Sequence, residues 1–135
     1  MKQPLKVLHT SDIHLDNDIG TGSDLSHAQV GFSSVIDSAL QNEVDLFLLA
    51  GDLFDHNRVK EPCLEFTVQQ LSRLHCPVVM IAGNHDCLAE YSIYHKFFSE
   101  VAQPYEVRRL QKQHKVAGCG GGCETCFLIY TTPTE

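Results

Sequence analysis

Residues 46–55, which read LFLLAGDLFD, decide the fold of this chain. Their apolar run ends at Ala50 and Gly51, and two carboxylates follow it, at Asp52 and Asp55. An apolar run of this length is too short to span a bilayer and is typical of a central strand in a parallel sheet. Because open α/β sheets bind their ligands at the carboxyl ends of the strands, Asp52 is the first candidate site residue.

The same pattern, an apolar strand followed directly by polar residues, occurs twice more. A strand predicted at residues 5–10 is followed by Asp12 and His14, and a strand predicted at residues 77–82 is followed by Gly-Asn-His-Asp at 83–86. We therefore expect three strands that each deliver polar side chains at their carboxyl ends.

Two helices are predicted between the three strands. Ser26 and Gln29 match a capping box, and apolar residues recur at helical spacing from Phe32 to Leu40. Pro62 suits the first position of a second helix. The order strand, helix, strand, helix, strand predicts an α/β fold, with a βαβαβ parallel sheet and flanking helices.

The pattern is weaker after residue 90. We predict an amphipathic helix over residues 91–101 and a short strand over 127–130, and we interpret the basic run at 105–115 as a solvated face. Residues 118–126 read as a flexible, oxidisable tail, with a zinc site completed by His114 as the alternative. Three cysteines lie in this segment: Cys119, Cys123 and Cys126.

Composition limits the classes of function. The 135 residues carry a net charge of −7, from 17 acidic and 10 basic side chains, which argues against free-standing binding of nucleic acid or of anionic membrane. No cationic head precedes a long apolar segment, so we expect no signal peptide, no membrane span and a cytoplasmic location. Six cysteines in such a chain do not indicate a disulfide framework.

The residues that follow the three strands favour metal chemistry. Carboxylate and amide oxygens with imidazole suit Mn²⁺, Fe or Zn²⁺, and a pair of ions is favoured because one carboxylate between two cations compensates both. Two ions suit the hydrolysis of phosphate esters. The alternative is that these Asp and Asn residues only fix turns or cap helices. The set is Asp12, His14, Asp52, Asn84 and His85.

The three motifs resemble those of a known family. Asp-Ile-His at 12–14, Gly-Asp-Leu-Phe-Asp at 51–55 and Gly-Asn-His-Asp at 83–86 are similar, in order and in position, to the first three signature motifs of the calcineurin-like metallophosphoesterases. The residues around these motifs are most similar to those of the DNA-repair exonuclease branch, whose nuclease subunits pair with an SMC-like ATPase. The resemblance covers about residues 5–100.

The resemblance implies a metal-binding role for four residues. Asp12 and His14 would bind the first ion, Asp52 would bridge both ions, and Asn84 would bind the second. The resemblance implies two divalent cations, with Mn²⁺ favoured and Fe or Zn²⁺ as alternatives.

The resemblance also implies catalytic roles beside the metals. His85 would stabilise the transition state or protonate the leaving oxygen, and Asp86 would orient it. Asp55 would support a metal-binding residue or fix the turn, rather than bind a metal itself.

The architecture implied by the resemblance is the front half of a metallophosphoesterase αββα sandwich. Residues 1–100 would form this N-terminal half, and residues 101–135 would form a basic, then Gly/Cys-rich tail for which poor order is expected. Members of the family continue with another strand ending in His and with a Gly-His-x-His motif, and neither is present here. We therefore expect a truncated or split chain whose second metal site is incomplete.

Two functions follow as hypotheses. The first is a two-metal phosphoesterase that hydrolyses phosphodiesters in DNA, with a nucleotide or phosphomonoester as the alternative substrate. The second is a non-catalytic half-domain that acts in assembly, because the later histidine motifs are missing.

Overall fold

The computed structural model describes residues 2–20, 24–87 and 90–97 with their side chains, and residues 106–115 and 124–131 as backbone alone. The elements in these ranges are β1 Val7–Thr10, α1 His27–Gln41, β2 Leu46–Ala50, α2 Glu61–Leu71, β3 Val78–Ile81, α3 Ile93–Lys96, β4 Glu106–Lys115 and β5 Glu124–Thr131. No helix in the described ranges is long and apolar enough to cross a membrane.

One sheet contains all five strands, in the order β1-β2-β3-β5-β4. The first three are parallel, with Thr10 opposite Leu49 and Ala50 opposite Ile81, whereas β5 pairs antiparallel with both β3 and β4. The predicted βαβαβ parallel sheet with flanking helices is confirmed. Because β1, β2 and β3 are parallel neighbours, the loops that follow them leave the same edge of the sheet.

Both predicted helices between these strands form. The capping box at the start of α1 is complete, since the Gln29 N–H donates to Ser26 Oγ at 3.3 Å and the Ser26 N–H donates to Gln29 Oε1 at 3.0 Å. α2 begins at Glu61, one residue earlier than predicted, so Pro62 takes the second position, where its missing N–H also leaves no intrahelical bond unmade.

The core lies between the sheet and these two helices. Alternate residues of β2 and β3 are buried, whereas the residues between them are only half-buried or exposed, as expected when the two faces of a sheet differ in cover. The buried strand residues pack in one cluster with apolar residues of α1 and α2: Phe47, Leu49, Val78 and Met80 with Phe32, Ile36, Leu64 and Leu71.

The C-terminal part differs from the sequence-based expectation in two elements. α3 spans only Ile93–Lys96, and residues 98–101 of the predicted helix lie outside the described residues. β5 contains the strand predicted at 127–130, but β4 was not predicted, because its basic run lacks an apolar alternation. Both strands lie beyond residue 100, and the division of the chain there stays a prediction. Cys119 and Cys123 lie outside the described residues.

Candidate metal centre

The loops after β1 and β2 stay paired beyond the ends of their strands. The Asp12 N–H donates to the carbonyl oxygen of Gly51 at 3.1 Å, and the His14 N–H donates to the carbonyl oxygen of Asp52 at 3.0 Å. This pairing brings the polar residues of the first loop beside those of the second. Residues that are about forty positions apart in the sequence therefore share one edge of the sheet.

Three of the four predicted metal ligands lie together. One ligand atom from each of Asp12, His14 and Asp52 lies within 4.8 Å of the other two, and Asp12 Oδ1 is 3.6 Å from His14 Nε2. Asp52 is buried, with 8% of its surface exposed, while Asp12 is exposed. Two carboxylates and one imidazole form a donor set that suits a divalent cation such as Mn²⁺, Fe or Zn²⁺.

The backbone is strained at these same three residues. Asp12, His14 and Asp52 have φ angles of 55°, 55° and 54°, and Glu43 is the only other non-glycine residue in the described ranges with a positive φ. A left-handed backbone is uncommon for residues other than glycine and persists where surrounding contacts enforce it. The hydrogen bonds between the two loops supply that constraint, and the strain is concentrated at the candidate site.

The fourth predicted ligand, Asn84, lies against the Asp52 carboxylate. Its hydrogen-bond partners assign the NH₂ group of Asn84 towards this carboxylate, with the nitrogen 3.0 Å from Asp52 Oδ2 and 3.3 Å from Oδ1. A half-turn of the amide would present its oxygen instead, so Asn84 lies close enough to Asp52 to share a cation with it.

Two glycines permit the loops after β2 and β3 to approach this closely. A Cβ atom on Gly83 would lie 2.1 Å from Asp52 Oδ1 and 2.6 Å from the Asp52 backbone nitrogen. Gly51 has a φ of 88°, and a Cβ atom there would lie 3.1 Å from the Cα atom of Gly83. Glycine is thus required at position 83 by space and at position 51 by backbone conformation.

Asp55 joins the two histidines of the site. Its Oδ1 lies 3.0 Å from His14 Nδ1, and its backbone oxygen lies 2.9 Å from His85 Nδ1. Because a carbonyl oxygen only accepts, the Nδ1 atom of His85 carries a proton, and the acceptor oxygen of the Asp55 carboxylate assigns an Nδ1 proton to His14 in the same way. Nε2 of His14 is then free to bind a cation, since a carboxylate behind the ring is a common support for a metal-binding histidine.

Asp55 and the two histidines form a second group of candidate ligand atoms. Ligand atoms of His14, Asp55 and His85 also lie within 4.8 Å of one another, and the two histidine rings meet edge to face with centroids 4.7 Å apart. Asp55 stands in the sequence motif Gly-Asp-Leu-Phe-Asp. Its contacts with both histidines could not be predicted from that motif, because they form between three loops.

The sequence of the chain matches a known protein family. The family model of the calcineurin-like phosphoesterases matches residues 5–130. The chain belongs to this family. The match continues past residue 100, where the resemblance of the motifs ended, and includes β4 and most of β5.

The chain is similar to three proteins over about two thirds of its length. It is 32% identical over 90 residues to the SbcD subunit of the nuclease SbcCD of Escherichia coli, covering 63% of this chain and 22% of that protein. It is 37% identical over 97 residues to the DNA double-strand break repair protein Mre11 of Methanosarcina mazei, covering 64% and 15%. It is 36% identical over 100 residues to the uncharacterized metallophosphoesterase YhaO of Bacillus subtilis, covering 65% and 24%. The matched part thus spans less than a quarter of these relatives.

Asp86 does not have the contact that was predicted for it. In the described part of the chain, the His85 ring is hydrogen-bonded to Asp55 and not to Asp86. The adjacent side chain, that of Asp86, is instead turned into the protein, with none of its surface exposed. We therefore propose that Asp55, and not Asp86, orients the His85 ring. Asp86 has a structural role instead.

Asp86 holds the loops after β2 and β3 together. Asp86 Oδ1 accepts the N–H groups of Gly83 at 2.7 Å and Asp52 at 3.2 Å, while Oδ2 accepts the Phe54 N–H at 3.2 Å and the Tyr94 hydroxyl. A buried carboxylate is tolerated when it accepts several hydrogen bonds. Burial and the Asp86 carboxylate raise the pKa of Tyr94 well above its ordinary value, so its hydroxyl stays protonated and donates.

Asp12 is prepared electrostatically for a cation. The Ser11 hydroxyl donates to Asp12 Oδ2 at 2.6 Å, and this hydrogen bond is the main reason that the pKa of Asp12 is lowered, with a smaller contribution from His14. The Asp12 carboxylate is therefore ionised at neutral pH and available as an anionic ligand.

Proposed function

We propose that this chain carries a two-metal phosphoesterase centre that hydrolyses phosphodiesters, with DNA as the leading substrate. The observation that best supports the proposal is the convergence of Asp12, His14 and Asp52 within 4.8 Å, with Asn84 against Asp52. The donor chemistry and the strained backbone of the three ligands both favour a metal site over simple turns.

Each ion would be held by residues that already lie side by side. In the proposal Asp12, His14 and Asp52 hold the first ion, and Asp52 and Asn84 hold the second. Mn²⁺ is the favoured metal, with Fe or Zn²⁺ as the alternatives. A bound pair of divalent ions supplies Lewis acidity at a phosphoryl group and lowers the pKa of a water molecule towards about 7.

His85 is the proposed general acid. The oxygen of a water molecule forms a bond to phosphorus while the bond from phosphorus to the leaving oxygen breaks. The leaving oxygen takes up the Nε2 proton of a doubly protonated His85, and the attacking water releases a proton to solvent. Because Nδ1 donates to the Asp55 backbone oxygen, Nε2 is the nitrogen available for this transfer. Asp55 keeps the ring in place through that bond and through its carboxylate, 3.6 Å from Nδ1.

The substrate is proposed from the site and from the relatives together. Two of the relatives are named as a nuclease subunit and as a DNA double-strand break repair protein, which favours a phosphodiester in DNA over a phosphomonoester. Net charge −7 opposes DNA binding by the chain alone, although the exposed Arg58 and Lys60 follow the loop that carries Asp52. We propose that a partner subunit, an SMC-like ATPase, supplies further contacts, and that the protein acts in the cytoplasm.

The competing proposal is a non-catalytic half-domain that binds at most one ion and acts in assembly. The sequence offers no Gly-His-x-His motif, and the second ion would have only Asp52 and Asn84 from the described residues. Two protein ligands are few for a catalytic ion in the absence of substrate. Activity separates the two proposals.

The experiment is hydrolysis of bis-p-nitrophenyl phosphate in the presence of Mn²⁺, with p-nitrophenyl phosphate as the monoester comparison. The chain is measured beside Asp52→Ala and His85→Ala. Turnover of the diester that both substitutions abolish supports the two-metal phosphodiesterase. Absence of turnover, or turnover unaffected by either substitution, would favour the non-catalytic module for this chain.

A further inference from the structure

We infer that Tyr94 is a positioning residue of the metal centre, which acts through Asp86 to fix the backbone that carries Asp52. The inference rests on the proposed function, because it concerns the affinity of the same site for its metals. Tyr94 comes from α3, outside the three motifs that suggested the site.

The first step is the dependence of Asp52 on Asp86. The Asp52 N–H donates to Asp86 Oδ1, and this bond helps to hold Asp52 at its positive φ of 54°. The Gly83 N–H donates to the same oxygen, so Asp86 also fixes the backbone just before Asn84. A shift of the Asp86 carboxylate would therefore move two predicted ligands together.

The second step is the dependence of Asp86 on Tyr94. Among the described residues, Tyr94 is the only one whose side chain donates a hydrogen bond to Asp86, since the other three donors are backbone N–H groups. Without the hydroxyl, Asp86 Oδ2 would retain only the Phe54 N–H. A carboxylate with none of its surface exposed has no solvent to replace a lost donor, so it must turn or admit water.

Tyr94 is itself held firmly enough to act as a support. The residue is 2% exposed, and its ring packs against the ring of Phe54 with centroids 5.7 Å apart. The helix that carries it is fastened to the loop after β2, because the Ile93 N–H donates to Asn57 Oδ1 at 3.0 Å. The Tyr94 N–H also donates to Ser92 Oγ, which caps the helix. Contacts of its ring and of the backbone of α3 therefore hold Tyr94 in place.

The test is Tyr94→Phe, which keeps the ring and removes the donor. Tyr91→Phe is the matched control, because Tyr91 is 74% exposed and receives the same chemical change. Mn²⁺ affinity is measured by isothermal titration calorimetry. Loss of a residue that supports a metal ligand typically weakens metal affinity by about 10- to 100-fold, and we expect this loss for Tyr94→Phe and no loss for Tyr91→Phe.

A second readout needs no metal. Amide hydrogen exchange of the metal-free protein is followed by NMR, with the Phe47 N–H, which donates to the Pro77 carbonyl oxygen, as a reference for global opening. In Tyr94→Phe we expect faster exchange at Asp52 and Phe54, whose N–H groups donate to Asp86, and unchanged exchange at Phe47. Faster exchange at all three would indicate general destabilisation and would overturn the positioning role.

The route through Asp86 is tested by a double-mutant cycle with Asp86→Asn. If Tyr94 acts through Asp86, adding Tyr94→Phe to Asp86→Asn costs little further Mn²⁺ affinity, whereas additive losses would overturn the inference. If Tyr94→Phe fails to fold, Asp86→Asn is measured alone, and it must then show the faster local exchange at Asp52 and Phe54. Wild-type protein that binds no Mn²⁺ would overturn the proposed function and this inference together. Wild-type binding with an unchanged affinity in Tyr94→Phe would overturn this inference alone.

Discussion

Gly83→Ala is the substitution that most sharply tests the packing of the metal centre. The new Cβ atom would lie 2.1 Å from Asp52 Oδ1, 2.6 Å from the Asp52 backbone nitrogen and 2.7 Å from Asp52 Cγ. Cβ atoms essentially never approach other heavy atoms closer than 3.0 Å. The contact with backbone cannot be relieved by a side-chain rotation, so the loops after β2 and β3 must separate.

The size of the effect follows from the distances. Asp52 must retreat by roughly 1 Å, and a misplacement of this size in a catalytic site can cost on the order of 100-fold in rate. Because Gly83 allows the predicted ligand Asp52 to hold its position, we expect Mn²⁺ affinity to fall by about 10- to 100-fold. Overpacking of this kind also lowers the free energy of unfolding, by about 1–3 kcal/mol.

Gly31→Ala is the matched control. Gly31 lies in α1, and a Cβ atom there would meet nothing within 4 Å, so alanine should stabilise the helix by about 0.5–1 kcal/mol. Urea unfolding gives the stability of both variants and titration calorimetry gives their Mn²⁺ affinity. The two substitutions should change stability in opposite directions. Normal Mn²⁺ affinity and normal stability in Gly83→Ala would refute the close approach of Gly83 to Asp52.

Three further predictions use other parts of the structure. Asp55→Ala removes the carboxylate that supports His14, and we expect Mn²⁺ affinity to fall by about 10- to 100-fold in calorimetry, an unchanged value being the contrary result. Ser26→Ala removes the cap of α1 and should lower the free energy of unfolding in urea by about 1 kcal/mol without altering Mn²⁺ affinity. Burial raises the pKa of Cys63 to about 12, so at pH 8 about one molecule in ten thousand carries the thiolate, and mass spectrometry should find Cys63 alkylated by iodoacetamide in urea but not in the folded protein. Rapid alkylation of folded protein would contradict the burial of Cys63.

The sequence predicted the parts of the site that depend on regular structure. Asp12, His14, Asp52 and Asn84 each follow a strand, and the parallel order of the strands is enough to expect them at one edge of the sheet. The capping box at Ser26 could also be predicted from the sequence, because its two hydrogen bonds join residues three apart at the start of one helix.

The parts that sequence reasoning missed depend on side-chain direction. His85 and Asp86 are neighbours in the sequence, which suggested that one orients the other, but successive side chains in a loop diverge, and the Asp86 carboxylate is buried while His85 is 46% exposed on its side chain. The His85 ring meets Asp55 instead, thirty residues earlier. Tyr94 lies in the amphipathic helix predicted over residues 91–101, yet nothing in the spacing of that helix indicates that the Tyr94 hydroxyl reaches Asp86.

In the proposed function, the residues that follow three separate strands form one cation site. Anomalous diffraction from crystals grown with Mn²⁺ tests this most directly, because it locates the metal independently of any assumption about its ligands. We expect a peak within bonding distance of Asp12, His14 and Asp52, and a second peak, where the second site is filled, between Asp52 and Asn84. A Mn²⁺ peak only elsewhere on the chain, or no peak at saturating Mn²⁺, would contradict the proposed site.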